Sequence, residues 1–259
     1  MQHFFKTIFT RNTKLDTGQL IMKKTVISFF FFFLFAGAAF WGWKWLRHQP
    51  ANADGTRKPL RAALNFNESV FKGFVAKNHL AKEFPLSAAV KNVRVNGRDG
   101  LRTPLDSANW RLHVLRANGD TLSLTLEDIK KLPKTDIVFD FKCIEGWSQI
   151  THWAGVKFST FVKAYGLEKE SAMNYVGLMT PDKQYYVGID MPSALHPQTL
   201  LCYEMNGAPL PLDQGYPLRL IIPVKYGIKH LKRIGTLSFS NERPPDFWAQ
   251  RGYDYFSGL

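Results

Sequence analysis

Few side chains in this sequence are suited to chemistry, because its 259 residues contain only two cysteines, Cys143 and Cys202. Cys143 stands in F-D-F-K-C-I-E-G-W-S (139–148), directly after an aromatic and β-branched run that predicts a buried strand. Its thiol is therefore expected where a strand gives way to a turn, a rigid mount for a reactive ligand. A thiolate is a soft, strongly donating metal ligand, and it binds only when deprotonated, so such a role needs a positive centre nearby. By residue type alone, a lone cysteine among aromatics is equally a core residue. Cys202, in L-L-C-Y, is expected in the core. Two thiols exclude a four-thiolate zinc site and an iron–sulfur cluster with four cysteine ligands, and no C-x-x-C-H haem attachment is present. His152 follows Cys143 by nine positions, which leaves open a metal-free Cys-His enzyme.

The elements that must position these groups are mostly short strands. Alternation predicts a hairpin from Trp110, Leu112 and Val114 to Leu122, Leu124 and Leu126 across the Asn118-Gly119-Asp120 turn. Further strands are expected over 136–141, 175–179, 184–189, 200–205, 217–222 and 235–239, and short helices over 127–132 and 157–165. The mix points to a β-rich α+β domain without internal repeats.

Upstream, residues 26–43 carry no charge and are flanked by Lys23, Lys24, Lys44 and Arg47. At about 1.5 Å per residue they nearly match the hydrocarbon core of a bilayer. Trp41, Trp43 and Trp45 cluster at the far end, where amphipathic rings prefer the interface, so a retained anchor is favoured over a cleaved signal peptide starting at Met22. The expected organisation is a tail (1–24), a transmembrane anchor (25–45), a linker containing Pro50, Gly55 and Pro59 (46–61), and one globular domain (62–259). The formal charge of +13 suggests nucleic acid at first sight. Residues 1–61 supply +8 of it, however, which argues against nucleic acid and leaves an unexceptional +5 on the domain.

The surroundings of Cys143 add a resemblance. C-I-E-G-W-S followed by W-A-G-V resembles the signature of the sulfite oxidase superfamily, nearest its bacterial methionine-sulfoxide-reductase branch and related membrane-anchored oxidoreductases. The likeness continues, in order, through A-L-H-P-Q-T-L-L (194–201), M-N-G-A-P-L-P (205–211), Q-G-Y-P-L-R-L (214–220), K-Y-G-I-K-H-L-K-R-I (225–234) and E-R-P-P-D-F-W-A-Q-R-G-Y (242–253). It implies a sulfite-oxidase-type molybdopterin-binding fold, preceded here by one N-terminal transmembrane helix. The implied cofactor is molybdenum-molybdopterin, with Cys143 as the protein's thiolate ligand.

Carried over position by position, the resemblance implies that Arg219 and Lys232 hold the phosphate of the pterin, a task suited to cationic donors. It places His230, Leu231 and Lys232 on the pterin-binding segment and matches Thr180 to a cofactor-contacting threonine. Gln214 replaces a family histidine or asparagine but can still donate and accept. Asn67 and Glu68 resemble a segment that closes over the pterin. The family's sulfite oxidases attract their anion with an arginine, for which only Lys142 stands adjacent to Cys143 in sequence. The expected activity is oxygen-atom transfer on a small sulfur-containing or similar oxo substrate, with a separate haem or quinol-linked carrier for electrons. Competing expectations are the Cys-dependent enzyme above and a membrane-tethered binding module without cofactor. Lys23-Lys24 stands where exported relatives carry twin arginines, so the side of the membrane stays open.

Overall fold

Pro59 reads as a linker breaker, yet proline suits the first turn of a helix, where its missing N–H costs no hydrogen bond. In the computed structural model, which describes residues 16–53, 55–74 and 79–259, a helix α2 (Lys58–Phe74) opens on Lys58-Pro59. The apolar stretch forms a longer helix, α1 (Thr17–His48), with no buried residue. The expected linker is thus helical at both ends, and the described residues between the helices are irregular. There the Pro50 carbonyl accepts from Lys58 N at 2.9 Å, and Ala51 bridges Arg57. Residues 1–15 of the expected tail and residue 54 of the expected linker lie outside the described residues. The chain divides into two units, one built on α1 and one holding everything from Leu60 onward. α1 is long and apolar enough to cross a membrane.

In the larger unit, the predicted hairpin forms from β1 (Leu112–Leu115) and β2 (Thr121–Leu124). α3 (Leu126–Lys130) begins at a reciprocal cap, in which the Thr125 hydroxyl accepts from Asp128 N while the Asp128 carboxylate accepts from Thr125 N. β3 (Lys134–Lys142) and β4 (Ser148–Lys157) form the long hairpin that carries Cys143 in its turn. After α4 (Phe158–Ala164) and α5 (Glu168–Ser171) come β5 (Tyr175–Met179), β6 (Tyr186–Asp190), α6 (Met191–Ala194) and β7 (Leu200–Met205). β8 (Ala208–Pro209), β9 (Arg219–Ile221) and β10 (Thr236–Ser240) complete the strands.

They make two mixed or antiparallel sheets, in order β2-β1-β10-β5-β6 and β3-β4-β7-β8, with β9 also paired to β7. β1 runs parallel to β10, and every other pairing is antiparallel. A large apolar core joins Leu112, Val156, Phe161, Leu178 and Leu237 across elements of both sheets. A smaller aromatic core, with Ile137, Phe139, Phe141, Trp153 and Cys202, lines one face of the second sheet near the cysteine turn. Cys202 is fully buried there, as its apolar setting implied.

β4 was not among the expected strands, because Gly155 and the polar residues of S-Q-I-T-H-W-A-G-V-K hide its period. Gly155 is required by packing. The pairing of β4 with β7 shifts register between Ala154 and Gly155, and a Cβ at 155 would collide with the Leu201 carbonyl.

Candidate active site

Alternation along β3 puts Ile137, Phe139 and Phe141 on the aromatic core, and the strand then delivers Cys143 into a tight turn. Cys143 N donates to Trp147 O at 2.9 Å and Gly146 N to Cys143 O at 3.0 Å. Cys143 is buried, and the Asn96 side-chain amide donates to its Sγ at 2.9 Å. Burial pushes the thiol pKa up, an effect that the Glu145 backbone N–H, Arg94 and the Asn96 amide only partly offset. The bare chain therefore holds a thiol rather than a thiolate at neutral pH, and a further positive centre is needed to deprotonate it. His152 does not provide one. In the β3–β4 ladder it pairs with Val138 while Ser148 pairs with Lys142, so it lies four residues further along the strand. Its Nε2 meets Asp136 Oδ1 at 2.8 Å. The structure thus separates the two members of the expected Cys-His pair.

The cation near the thiol is Arg94 rather than Lys142, whose side chain is exposed. The Arg94 guanidinium sits 4.7 Å from the centre of the Trp147 ring, which in turn stacks on Phe141. Neither Arg94 nor Asn96 was singled out from the sequence. The Asn96-Gly97 pair marks a turn, but nothing local says that this turn meets a cysteine 47 positions later.

Arg219 and Gln214 do come together. Arg219, on β9, is 1% exposed, lies 4.5 Å from the Trp153 ring centre, and donates through Nη1 to both Gln214 O and Oε1 at 2.9 Å. Gln214 donates in turn to the Val93 and Arg94 carbonyls. Arg219 Nε is buried with no partner, and among the described residues the side chain makes no ion pair. Burial pulls its pKa down to about 10.

Lys232 is held in the same way, by carbonyls and no carboxylate: its Nζ donates to Asn96 O at 2.6 Å, Gly97 O at 3.2 Å and Asp213 O at 3.1 Å. Burial, reinforced by Arg219, lowers its pKa to about 7, while Asp213 and Asp99 act the other way from a distance. Gly215, at φ 102°, lets the neighbouring turn close on this segment, because a Cβ there would lie 2.9 Å from Lys232 Cα.

The other expected site residues are placed differently. His230 is fully buried between Phe139 and Phe141, and its pKa falls to about 3, mainly through burial. Both its ring nitrogens are occupied, by Lys225 O and Ile222 N, though the residue lines the cavity described next. Leu231 is a core side chain. Thr180 is buried and turned to its own loop, donating to Asp182 Oδ1 at 2.7 Å and accepting from Tyr185 N. Glu68 is buried on α2 against Arg243 at 2.6 Å, and Asn67 is exposed. Neither lines the cavities beside the cysteine turn.

A cavity of about 300 Å³ opens beside the turn, lined among others by Asn96, Ile144, Glu145, Gly227, His230 and Lys232. A smaller one touches Arg94, Asn96, Trp153, Gln214, Arg219 and Lys232. Three cations that have no carboxylate partner among the described residues, one of them with an orphaned buried N–H, therefore lie beside a shielded thiol. This donor set suits a group that is anionic at one end and bears a thiophilic metal at the other.

Comparison with known proteins agrees. Residues 100–248 match the model of the oxidoreductase molybdopterin binding domain. The chain is 36% identical over 208 residues to a protein named as a protein-methionine-sulfoxide reductase subunit of Azospira oryzae, covering 79% of this chain and 78% of that one. It is 30% identical to the protein-methionine-sulfoxide reductase catalytic subunit of Campylobacter jejuni, over 60% of this chain and 58% of that one. It is 32% identical to mitochondrial sulfite oxidase of Rattus norvegicus, over 62% of this chain but only 34% of that one. The cation-lined sulfur site thus lies within a chain that belongs to the family of oxidoreductases with a molybdopterin-binding domain.

Proposed function

We propose that the protein is a molybdenum-cofactor oxidoreductase that transfers an oxygen atom to or from a small sulfur-containing or similar oxo substrate. The observation that carries this reading is a pair of cations without counter-ions among the described residues, the buried Arg219 and the half-buried Lys232, set beside the Asn96-bound thiol of Cys143. When bound, the cofactor supplies the two-electron redox step, and the protein supplies position, polarity and exclusion of water.

Cys143 is the thiolate ligand, and the Asn96 amide orients its sulfur and lowers its basicity. Arg219 and Lys232 grip the phosphate end of the pterin, with Gln214 locking the Arg219 fork. His230 and Leu231 shape the wall next to Lys232, and Thr180 steadies the loop against which Gly100 packs. Glu68, held by Arg243, docks α2 on the domain, and the neighbouring Asn67 stays exposed. Arg94, beside the thiol and stacked on Trp147, is placed to attract an oxyanion or sulfoxide oxygen, and Trp147 and Phe141 keep water from the sulfur.

The relatives named as reductase subunits support the presence of a partner subunit, and we assign to it the role of a haem or quinol-linked electron carrier in the membrane. α1 then serves as a single-pass anchor in the inner membrane. Elemental analysis together with pterin fluorescence after acid release tests the whole reading. Purified full-length protein is expected to carry stoichiometric molybdenum and pterin, and Cys143→Ala to keep its melting temperature while losing turnover. Retained turnover in Cys143→Ala, or an active preparation without molybdenum, refutes it.

A further inference from the structure

Helix α2 is amphipathic in an inverted sense. At 100° per residue, Leu60, Ala63, Phe66 and Val70 share one side, interrupted only by Asn67, while Arg61, Asn65 and Glu68 lie on the other. A helix on a soluble domain ordinarily turns its apolar side inward. Here the polar side faces the domain: Glu68 is buried against Arg243, and Arg61 donates to Tyr253 O and Ala249 O. The apolar side is left open, with Leu60 46%, Phe66 66% and Val70 39% exposed. A row of large apolar side chains along one helix face marks an interaction surface rather than scattered surface residues.

Chain continuity says what covers it. Nine residues separate the end of α1 from the start of α2, and the hydrogen bond from Lys58 N to Pro50 O folds that short connection back on itself. The last turns of α1 carry Trp41, Trp43 and Trp45, the side chains that favour a bilayer interface. Basic residues cluster at the same edge: Lys44 and Arg47 before the connection, Arg57 and Lys58 after it. This charge suits anionic headgroups, and the apolar row of α2 suits the acyl boundary beneath them.

We propose that α2 is an interfacial helix whose Leu60, Ala63, Phe66 and Val70 face lies in the surface of the lipid bilayer. The domain would then be held against the membrane in one orientation, with its electron-accepting side presented to a membrane partner, rather than swinging on a tether. The inference rests on α1 spanning that bilayer.

Collision broadening of nitroxide labels tests it in the full-length chain reconstituted in bilayers containing anionic lipid. The unsubstituted protein, whose two cysteines are buried, sets the background. Labels at Phe66→Cys and Val70→Cys are expected to be relaxed by oxygen more than by a water-soluble nickel chelate. A label at Asn65→Cys is expected to show the reverse. A label at Phe33→Cys reports on α1 separately. Nickel-accessible labels at 66 and 70 with an oxygen-rich label at 33 overturn the interfacial helix and leave the anchor standing, whereas a nickel-accessible label at 33 overturns both. Labels at 66 and 70 shielded from both reagents also overturn the proposal. Dipolar broadening would then assign the face to a second copy, and its absence to protein packing.

Discussion

Two clusters of cations, three of them buried and Lys232 half-buried, lie on the same stretch of chain and differ in their counter-ions. Lys225 and Lys229, each 1% exposed, are both matched: Lys225 Nζ to Asp190 Oδ1 at 2.7 Å and Lys229 Nζ to Asp246 Oδ2 at 2.5 Å. Their ammonium groups also lie over the rings of Phe256 and Tyr255. Arg219 and Lys232 have carbonyls, an amide and an indole face, but no carboxylate among the described residues. A buried charge without a counter-ion costs stability, whereas a matched pair roughly balances its desolvation. The matched cluster ties the Lys225–Lys232 segment to β6 and to the loop around Asp246, and so acts as a frame. The unmatched cluster is an incomplete ion pair, and on the proposed function its missing half is the anion of the cofactor.

The largest effect should come from turning the matched cluster into an unmatched one. Asp246→Ala strands Lys229 and removes the acceptor for Gly188 N and Ala249 N. A loss of about 3–5 kcal/mol is expected, seen as a lower denaturant midpoint or as failure to fold. Asp190→Ala should behave alike, since Asp190 also caps α6 through Ser193.

The converse change, Arg219→Met, should leave the cofactor-free chain within about 1–2 kcal/mol of its normal stability, because lost hydrogen bonds are offset by removal of an uncompensated charge. Its molybdenum and pterin content should nevertheless collapse. A stability loss as large as that of Asp246→Ala would place Arg219 in the frame instead.

The smallest effect is a pH dependence. Lys232 loses its proton at about 7 in the folded chain and near the ordinary lysine value when unfolded. The unfolded state thus binds more protons between those values, and the cofactor-free protein should gain stability as pH rises from about 7 toward 10. Binding of sulfate, which does not titrate there, should weaken by up to about tenfold per unit above pH 7, and Lys232→Met should abolish that slope in isothermal titration. A sulfate affinity independent of pH would remove Lys232 from the anion site.

Where a short apolar run is bounded by turn residues, the strands are legible to the residue: β5 and β7 have the ends that the pattern predicts. β4 was not, because its close approach to β7 requires a glycine in mid-strand, and α2 was not, because Pro59 was taken as a breaker although it sits in a first turn. Around the site, Cys143 is marked by its residue type and place, and Gln214, Arg219 and Lys232 only by the resemblance of their motifs to the family, and the structure draws them into one region. Arg94 and Asn96 carried no such mark, since their meaning depends on a turn formed elsewhere in the chain.

Residue order alone sets the chemical inventory: one cysteine at a strand end, a run of basic residues after Tyr226, and an apolar segment long enough to cross a bilayer. Only the tertiary structure decided which of those basic residues are neutralised and which are left waiting. Ion pairing depends on distance in space, and the deciding partners are remote along the chain, Asp190 lying 35 residues from Lys225. The same holds for α2, whose residue pattern defines two faces but whose packing alone determines that the polar one is covered.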